Sequence, residues 1–272
     1  MHQSIQDIIR SRRSVRTYSP KPLAQEDRQK LEAFLPTADN PYGLAVEFRF
    51  LEKKTHGLHC PVTVGDALYI GAKAALTPHM EAAVGYSFER LVLFAESLGL
   101  GTVILGGTMN RPAFEKAMAL NDGEVMPLAT PIGYPAEKMS LRETMMRKGV
   151  QADMRMDFRK LFFDDTFDRP LTMERAGIFA QPLEMVRLAP SAVNRQPWRV
   201  LVRDGFAHFY EKPSKGMGGG AWDIQKIDVG IAMAHFALTL EEQGFTPRFR
   251  TDEPQTAGDA EGIVYIGSYG VE

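Results

Sequence analysis

Apolar residues recur along this chain in two rhythms, one suited to helices and one to strands. Ile5, Ile8 and Ile9 form the apolar stripe of an early helix that ends near Arg12 and delivers a basic cluster. A second helical pattern spans Leu23 to Leu35. It runs into a breaker-rich stretch at 36–43, Pro-Thr-Ala-Asp-Asn-Pro-Tyr-Gly, and then an alternating strand through Val46, Phe48 and Phe50. From Glu81 to Leu98 apolar side chains return at Val84, Phe88, Leu91, Val92, Ala95 and Leu98, the spacing of one buried helix face, and Gly99 stops it. Residues Thr102 to Leu105 predict a short buried strand running into Gly106-Gly107. Met126 to Tyr134 predict another, closed by Ile-Gly-Tyr-Pro at 132–135.

The segment from Arg142 to Pro170 is dense in charge and interrupted by Met and Phe, which marks a crossing with some structure of its own. Beyond it the pattern predicts a helix over Glu174–Leu188 and a loop from Ala189 to Trp198. Strands follow at Arg199–Arg203 and Ala207–Glu211, then a long amphipathic helix over Ile224–Gln243 and a closing strand from Ile263 to Tyr269. The Gly-rich run at 216–220 reads as a surface loop, since no strand-to-helix turn frames it as a phosphate cradle.

The order of elements in the first half recurs in the second. Pro36-Thr37-Ala38-Asp39-Asn40 matches Pro190-Ser191-Ala192-Val193-Asn194, each after a helix containing Leu-Glu and before an alternating strand. Val84-Gly85 and Gly99 match Val229-Gly230 and Gly244, each set bracketing one helix of equal length, and Ile132-Gly133 matches Ile266-Gly267. Several short matches in one order point to an internal duplication. The expected division is 1–141 for the first half, 142–170 for the crossing and 171–272 for the second half.

Composition narrows the class of protein. The 272 residues are 44% AVILMFWYC and 24% charged, an ordinary globular balance with enough apolar material for a substantial core. The net charge of −2 and the absence of a long basic stretch leave nucleic acid and anionic membranes without an electrostatic footprint. No window offers the roughly 20 apolar residues of a spanning helix, and the N-terminus lacks the apolar segment of a signal peptide. Cys60 stands alone and can form neither an internal disulfide nor a thiolate cluster, which fits a reducing compartment and a cytoplasmic location. The six histidines show no metal-ligand spacing, and His235, inside an apolar helix, reads as a packed histidine. The acidic pairs Asp164-Asp165 and Glu241-Glu242 read as solvated faces. No G-x-S-x-G elbow or Walker loop supports hydrolase or nucleotidase chemistry.

Two segments carry chemistry. Arg12-Arg13-Ser14-Val15-Arg16 sets three guanidiniums and a hydroxyl within five residues of a helix end, either a solvated basic turn or an anion site whose planar forks suit phosphate. The loop from Ala189 to Trp198 gathers Pro, Ser, Asn, Gln and Trp at a helix-to-strand junction. Such amide donors and acceptors around a flat apolar element suit a planar heteroaromatic ring. Trp198 itself reads as core.

Together, Arg-Arg-Ser-Val-Arg at 12–16, Ala-Pro-Ser-Ala-x-Asn-x-Gln-Pro-Trp at 189–198, Leu98-Gly99-Leu100-Gly101 with Gly106-Gly107, and Ile132-Gly133-Tyr134-Pro135 resemble the FMN-dependent nitroreductase family. The resemblance covers roughly Ile5–Arg142 and Leu183–Tyr269. It implies an α+β sandwich, normally an intertwined homodimer with FMN at the interface. Here the first half keeps the Arg-rich motif and Gly106-Gly107, whereas its loop has decayed to Pro36–Tyr42. The second half keeps the full loop, whereas Met173-Glu174-Arg175-Ala176-Gly177 replaces the Arg-rich motif. Complementary losses of this kind resemble the duplicated single-chain branch, with two homologous halves as an intramolecular pseudo-dimer and one FMN site per chain.

By that resemblance Arg12, Arg13, Ser14 and Arg16 contact FMN from the first half, and Pro190, Ser191, Ala192 and Asn194 from the second. Arg16 would sit near the flavin edge that becomes negative on reduction, and Arg12 and Ser14 near the phosphate or ribityl end. A backbone N–H at Gly106 or Gly107 would face flavin N5, and Arg142 matches a phosphate-contacting arginine, with Arg147 as the alternative. The implied activity is an NAD(P)H oxidoreductase passing hydride through flavin N5 to a nitroaromatic, quinone or similar small-molecule acceptor, with no separate catalytic side chain and no metal. The alternative is a flavin-binding carrier or sensor without turnover.

Overall fold

The computed structural model describes residues 3–66, 68–216, 220–254 and 262–272. The chain divides into two compact units, Ser11–Asp153 on one side and Met154–Glu272 together with Met1–Arg10 on the other. The first helix, α1 (Ile5–Ser11), therefore begins the chain within the unit built mostly from its C-terminal half. Ile8 and Ile9 are its buried positions, and the Glu242 carboxylate accepts hydrogen bonds from the Ile5 N–H and from Gln6 Nε2, the latter at 3.0 Å.

The unit Ser11–Asp153 contains α2 (Gln25–Phe34), β1 (Glu47–Glu52), α3 (Lys53–His56), β2 (Leu68–Ala75), α4 (Met80–Ser97), α5 (Arg111–Met118), β3 (Glu124–Pro131) and α6 (Leu141–Gly149). Its antiparallel sheet has the order β1-β2-β3. The central strand β2 is buried on both faces. Leu68 and Ile70 pack with Leu31 of α2 and with Leu91 and Ala95 of α4, while Tyr69 turns to the opposite layer with Phe114 and Met118 of α5. Alternate residues thus feed two cores. Gly71 is required there, because a Cβ at that position would lie 2.5 Å from Met118 Sδ.

The other unit contains α7 (Phe158–Leu161), β4 (Phe162–Asp164), α8 (Met173–Ala176), α9 (Ala180–Leu188), β5 (Trp198–Arg203), β6 (Phe206–Glu211), α10 (Ile224–Glu242), β7 (Pro247–Arg250) and β8 (Val264–Val271). Its sheet runs β4-β5-β6-β8-β7, antiparallel except for the β4/β5 pair. The succession α9, β5, β6, α10, β8 repeats α2, β1, β2, α4, β3, and β5-β6-β8 repeats the order β1-β2-β3. This repetition within an α+β chain fits an internal duplication.

Several sequence expectations change. Residues 102–105 make bridges rather than a strand: Val15 N–H donates to Thr102 O, Val103 N–H to the Thr130 hydroxyl, and Leu105 exchanges bonds with Ala129, so no two successive residues share one ladder. The helix expected over 174–188 is broken, because Gly177 takes a positive φ of 55° and separates α8 from α9 through a 3₁₀ turn at Gly177–Phe179. Helix α10 is not amphipathic. It is buried nearly all round, its apolar residues meeting α9 on one side and strands β5, β6 and β8 on another. Asp164 is ion-paired with Arg169 (3.2 Å) and Arg175 (2.6 Å) instead of facing water, and Glu242 caps α1. The Gly-rich run at 216–220 lies partly outside the described residues. His235 is packed as expected, its Nδ1 2.9 Å from Met185 O.

Buried on β6, His208 sets its Nδ1 2.7 Å from the Ser268 hydroxyl of β8, and burial pulls the imidazole down to about 4. An unfolded histidine titrates near ~6.5, so between these values the unfolded chain binds more protons and stability falls with pH. We expect about 3 kcal/mol of stability to be lost as the pH drops from near neutral to about 4, and a His208→Gln variant to lose distinctly less. Urea denaturation midpoints across that range measure both.

Candidate functional site

In the unit Ser11–Asp153 the Arg-rich segment follows α1 in extended form. Val15 N–H donates to Thr102 O at 2.8 Å, and Val64 N–H donates to Arg16 O at the same distance, so the backbone of 14–16 is clamped from two sides. The close packing depends on Gly101, where a Cβ would lie 2.8 Å from the Val15 side chain. A rigid, extended backbone sends successive side chains to opposite faces. Val15 goes into the core, while Ser14 and Arg16 share the other face.

The guanidiniums have different partners. Arg13 Nη1 donates to Glu143 Oε1 at 3.3 Å, and the Glu143 side chain is 1% exposed. The Thr17 hydroxyl donates to the other carboxylate oxygen at 2.7 Å. Arg12 and Arg16 differ: Arg12 Nε and both Nε and Nη1 of Arg16 are buried without a hydrogen-bond partner among the described residues. Burial lowers both arginine pKa values, opposed by Glu89 for Arg12 and by Glu143 for Arg16, and the like charge of Arg147 lowers them further. An arginine stays charged under such conditions, so these N–H groups are charged donors held away from water.

Helix α6 supplies both Glu143 and Arg147. Its start reads Ser-Leu-Arg-Glu at 140–143, the pattern of a capping box. Only half of the box forms. Ser140 Oγ accepts from Glu143 N–H at 3.2 Å, but the Glu143 carboxylate reaches to Arg13 and Thr17, and the Thr17 hydroxyl accepts the Ser140 N–H in its place at 3.0 Å. Glu143 was missed from sequence, and this Ser-x-x-Glu signature was the available signal.

Of the two alternatives on α6, Arg147 is the one beside the motif: its charge acts on both Arg12 and Arg16, and its own guanidinium pairs with Asp153. Arg142 instead donates to Pro61 O on the exposed side. Gly106 O accepts from the Arg111 guanidinium, and a Cβ at Gly107 would meet nothing within 4 Å, so the second glycine borders open space.

In the other unit the loop from Pro190 to Gln196 is shaped by its own polar groups. Ser191 Oγ accepts from Gln196 N–H at 2.9 Å, and Asn194 Nδ2 donates to Met154 O at 3.0 Å. The Gln196 side chain accepts from Met156 N–H at 2.9 Å. Val193, Asn194 and Gln196 all have positive φ, at 44°, 58° and 51°. For a β-branched valine that conformation is an outlier. Beneath the loop, Asp228 of α10 accepts the Ala192 N–H on both carboxyl oxygens, at 3.0 and 3.1 Å. Burial raises the Asp228 pKa well above the carboxylate range, the negative charges of Asp223 and Glu211 raise it further, and the Ala192 bond opposes them. Trp198 begins β5 fully buried, as core.

Among the described residues no group of three or more His, Cys, Asp or Glu is arranged to hold a metal ion, and no helix is long and apolar enough to cross a membrane. This geometry defines a cluster of buried arginine donors in one unit and a strained amide-rich loop in the other.

An α+β chain with such a cluster and loop falls in the class of nitroreductase-fold oxidoreductases. Over residues 4–240 it matches the family described as "Putative TM nitroreductase", and it belongs to that family. A Thermotoga maritima structure described as a "putative nitroreductase" is similar in fold, with a TM-score of 0.65 and 19% identity over 100% of this chain and 94% of that one. A nitroreductase family protein from Clostridium novyi aligns with 50% of this chain and 87% of its own, with a TM-score of 0.43 and 16% identity. An FMN-dependent nitroreductase from Clostridium difficile aligns with 49% of this chain and 88% of its own, with a TM-score of 0.41 and 16% identity. No curated protein matches the chain.

Replacing Glu143 with Ala leaves Arg13 unpaired and removes the charge that offsets Arg16. We expect the change to cost about 2 kcal/mol, below the ~3–5 kcal/mol for breaking a fully buried pair because Arg13 is partly exposed. Thr17→Val is expected to cost about 1 kcal/mol. Chemical denaturation of the two variants measures this order.

Proposed function

We propose that this protein is an FMN-dependent NAD(P)H oxidoreductase of the nitroreductase type. The observation that carries the reading is the buried N–H groups of Arg12 and Arg16 that have no acceptor among the described residues, within a nitroreductase family member. Charged donors kept from water without a partner fit an anionic ligand.

FMN, when bound, supplies the hydride chemistry between a nicotinamide and an electron acceptor. The protein's own groups bind and orient. Arg12, Arg16 and Ser14 would meet the charged and hydroxylated parts of the cofactor. Arg147 fits the phosphate role better than Arg142, because its charge reaches the same cluster. Arg13 would act through the charge balance it keeps with Glu143. Pro190, Ser191, Ala192 and Asn194 would present backbone and amide groups to the ring, and an N–H at Gly106 or Gly107 would face flavin N5. A guanidinium at Arg16 favours the extra negative charge of the reduced ring, which raises the tendency to accept hydride. Nitroaromatics, quinones or similar flat acceptors suit an oxidoreductase of this kind, and a cytoplasmic setting suits its lone buried thiol, Cys60.

Purified protein loaded with FMN is expected to be yellow and to oxidise NADH or NADPH in the presence of such an acceptor. Protein that holds FMN without turnover would be a carrier, and protein that stays colourless after FMN addition would overturn the reading. Arg16→Ala is expected to weaken FMN binding by about tenfold to a hundredfold, the worth of a charge-assisted hydrogen bond in a buried site, as measured by flavin fluorescence titration.

A further inference from the structure

The molecule contains its own control for the loop at 190–196. Asn40 and Asn194 occupy corresponding places before β1 and β5, and Val84-Gly85 corresponds to Val229-Gly230. In the unit Ser11–Asp153 the loop is relaxed: residues 36–42 include no positive φ, and Asn40 closes a local turn with Leu44 while reaching Ser87 Oγ of α4 at 3.2 Å. In the other unit three non-glycine residues are held at positive φ, and the tie to the long helix is a carboxyl group. The residue corresponding to Asp228 on α4 is Ala83. Strain and carboxyl therefore occur together, in the unit that keeps the full Pro-Ser-Ala-x-Asn motif.

We infer that Asp228 is a positioning residue that holds the 190–196 loop in its strained, ligand-ready form through the Ala192 N–H. The inference rests on the reading of that loop as part of the FMN site, but the loop's dependence on Asp228 is a property of the protein alone.

A buried carboxyl with one protein donor among the described residues, the Ala192 N–H, is a costly arrangement, with the negative charges of Asp223, at the start of α10, and Glu211, at the end of β6, acting on it as well. Two oxygens converging on one N–H fix the direction of that peptide more narrowly than a single acceptor does. The next residue is Val193, whose backbone pays a steric penalty to turn. Without the carboxyl, the turn at Val193 loses its hydrogen bond to α10 and relaxes toward ordinary φ. The loop then presents Ser191 and Asn194 in a different orientation.

The test compares Asp228→Ala, which deletes the acceptor, with Asp228→Asn, which keeps one acceptor oxygen of the same reach. In FMN-free protein, hydrogen exchange of the Ala192 amide is expected to quicken at least tenfold in Asp228→Ala and to stay within about threefold of the parent in Asp228→Asn. FMN affinity is expected to fall tenfold or more in Asp228→Ala, with the Asn variant restoring most of it. If Asp228→Ala folds and both its Ala192 exchange and its FMN affinity match the parent, the inference is overturned. If Asp228→Ala fails to fold, Asp228→Leu and the Asn variant decide it by the same exchange measurement. If the parent itself does not bind FMN while Ala192 exchange still follows residue 228, the positioning role stands and the FMN reading falls.

Discussion

A carboxylate withheld from water is tolerable only where positive charge and hydrogen bonds meet it, and Glu143 meets both. Arg13 and the Thr17 hydroxyl reach its carboxylate from the Arg-rich segment, Ser140 Oγ accepts its backbone N–H at the start of α6, and its charge extends to Arg16. The arrangement does two things at once. It fixes the start of α6 against the extended Arg-rich segment, and it lets several guanidiniums share a small volume without full mutual repulsion. Arg12 and Arg16 are left with donors that no group among the described residues satisfies. The proposed anion site rests on this incomplete pairing.

The two units show how one succession of elements supports different local chemistry. Both place a polar loop between a helix and the strand that follows it, β1 in one unit and β5 in the other, and both bring a long helix beneath it. In one, an asparagine and a serine make a neutral, unstrained tie. In the other, a buried acid holds a loop that local sterics oppose. Strain of this sort persists only where surrounding contacts outweigh it. Ser191, Asn194 and Gln196 supply several of those contacts from within the loop itself.

Much of the architecture was legible in the order of apolar positions. The edges of α2, α4, α10, β5 and β6 lie close to where the sequence pattern puts them; for α10, buried nearly all round, the ends are marked by the Asp223 cap and by Gly244 with its positive φ rather than by a single apolar face. Strand β2 was missed for the opposite reason: it is buried on both faces and carries Gly71 and Lys73, so it shows no alternation. Strand β7 was missed because it is a four-residue piece at the sheet edge, with two arginines among four positions. The motif at 12–16 was readable as an anion site, yet the division of labour within it was not. That Arg13 is tied to Glu143 while Arg12 and Arg16 keep free donors depends on side chains roughly 130 residues away. Arg147 could not be separated from Arg142 by spacing, since both lie on α6 and only the helix face distinguishes them. Asp228 carried no motif at all, because its partner is a backbone N–H.

Helix α1 belongs to the unit that is otherwise formed by Met154–Glu272, so the polypeptide passes from one unit to the other twice, after Arg10 and after Asp153. The N-terminal turn works as a buttonhole stitch. Cutting the backbone at the second passage would leave the two fragments fastened by Ile5 and Gln6 on the Glu242 carboxylate. Ser11–Asp153 is one continuous stretch, but the other unit cannot be made whole by expressing Met154–Glu272 alone, since its first helix is encoded at the opposite end of the chain. Ribosomal synthesis must also hold the first helix in waiting until the last third of the chain arrives to receive it.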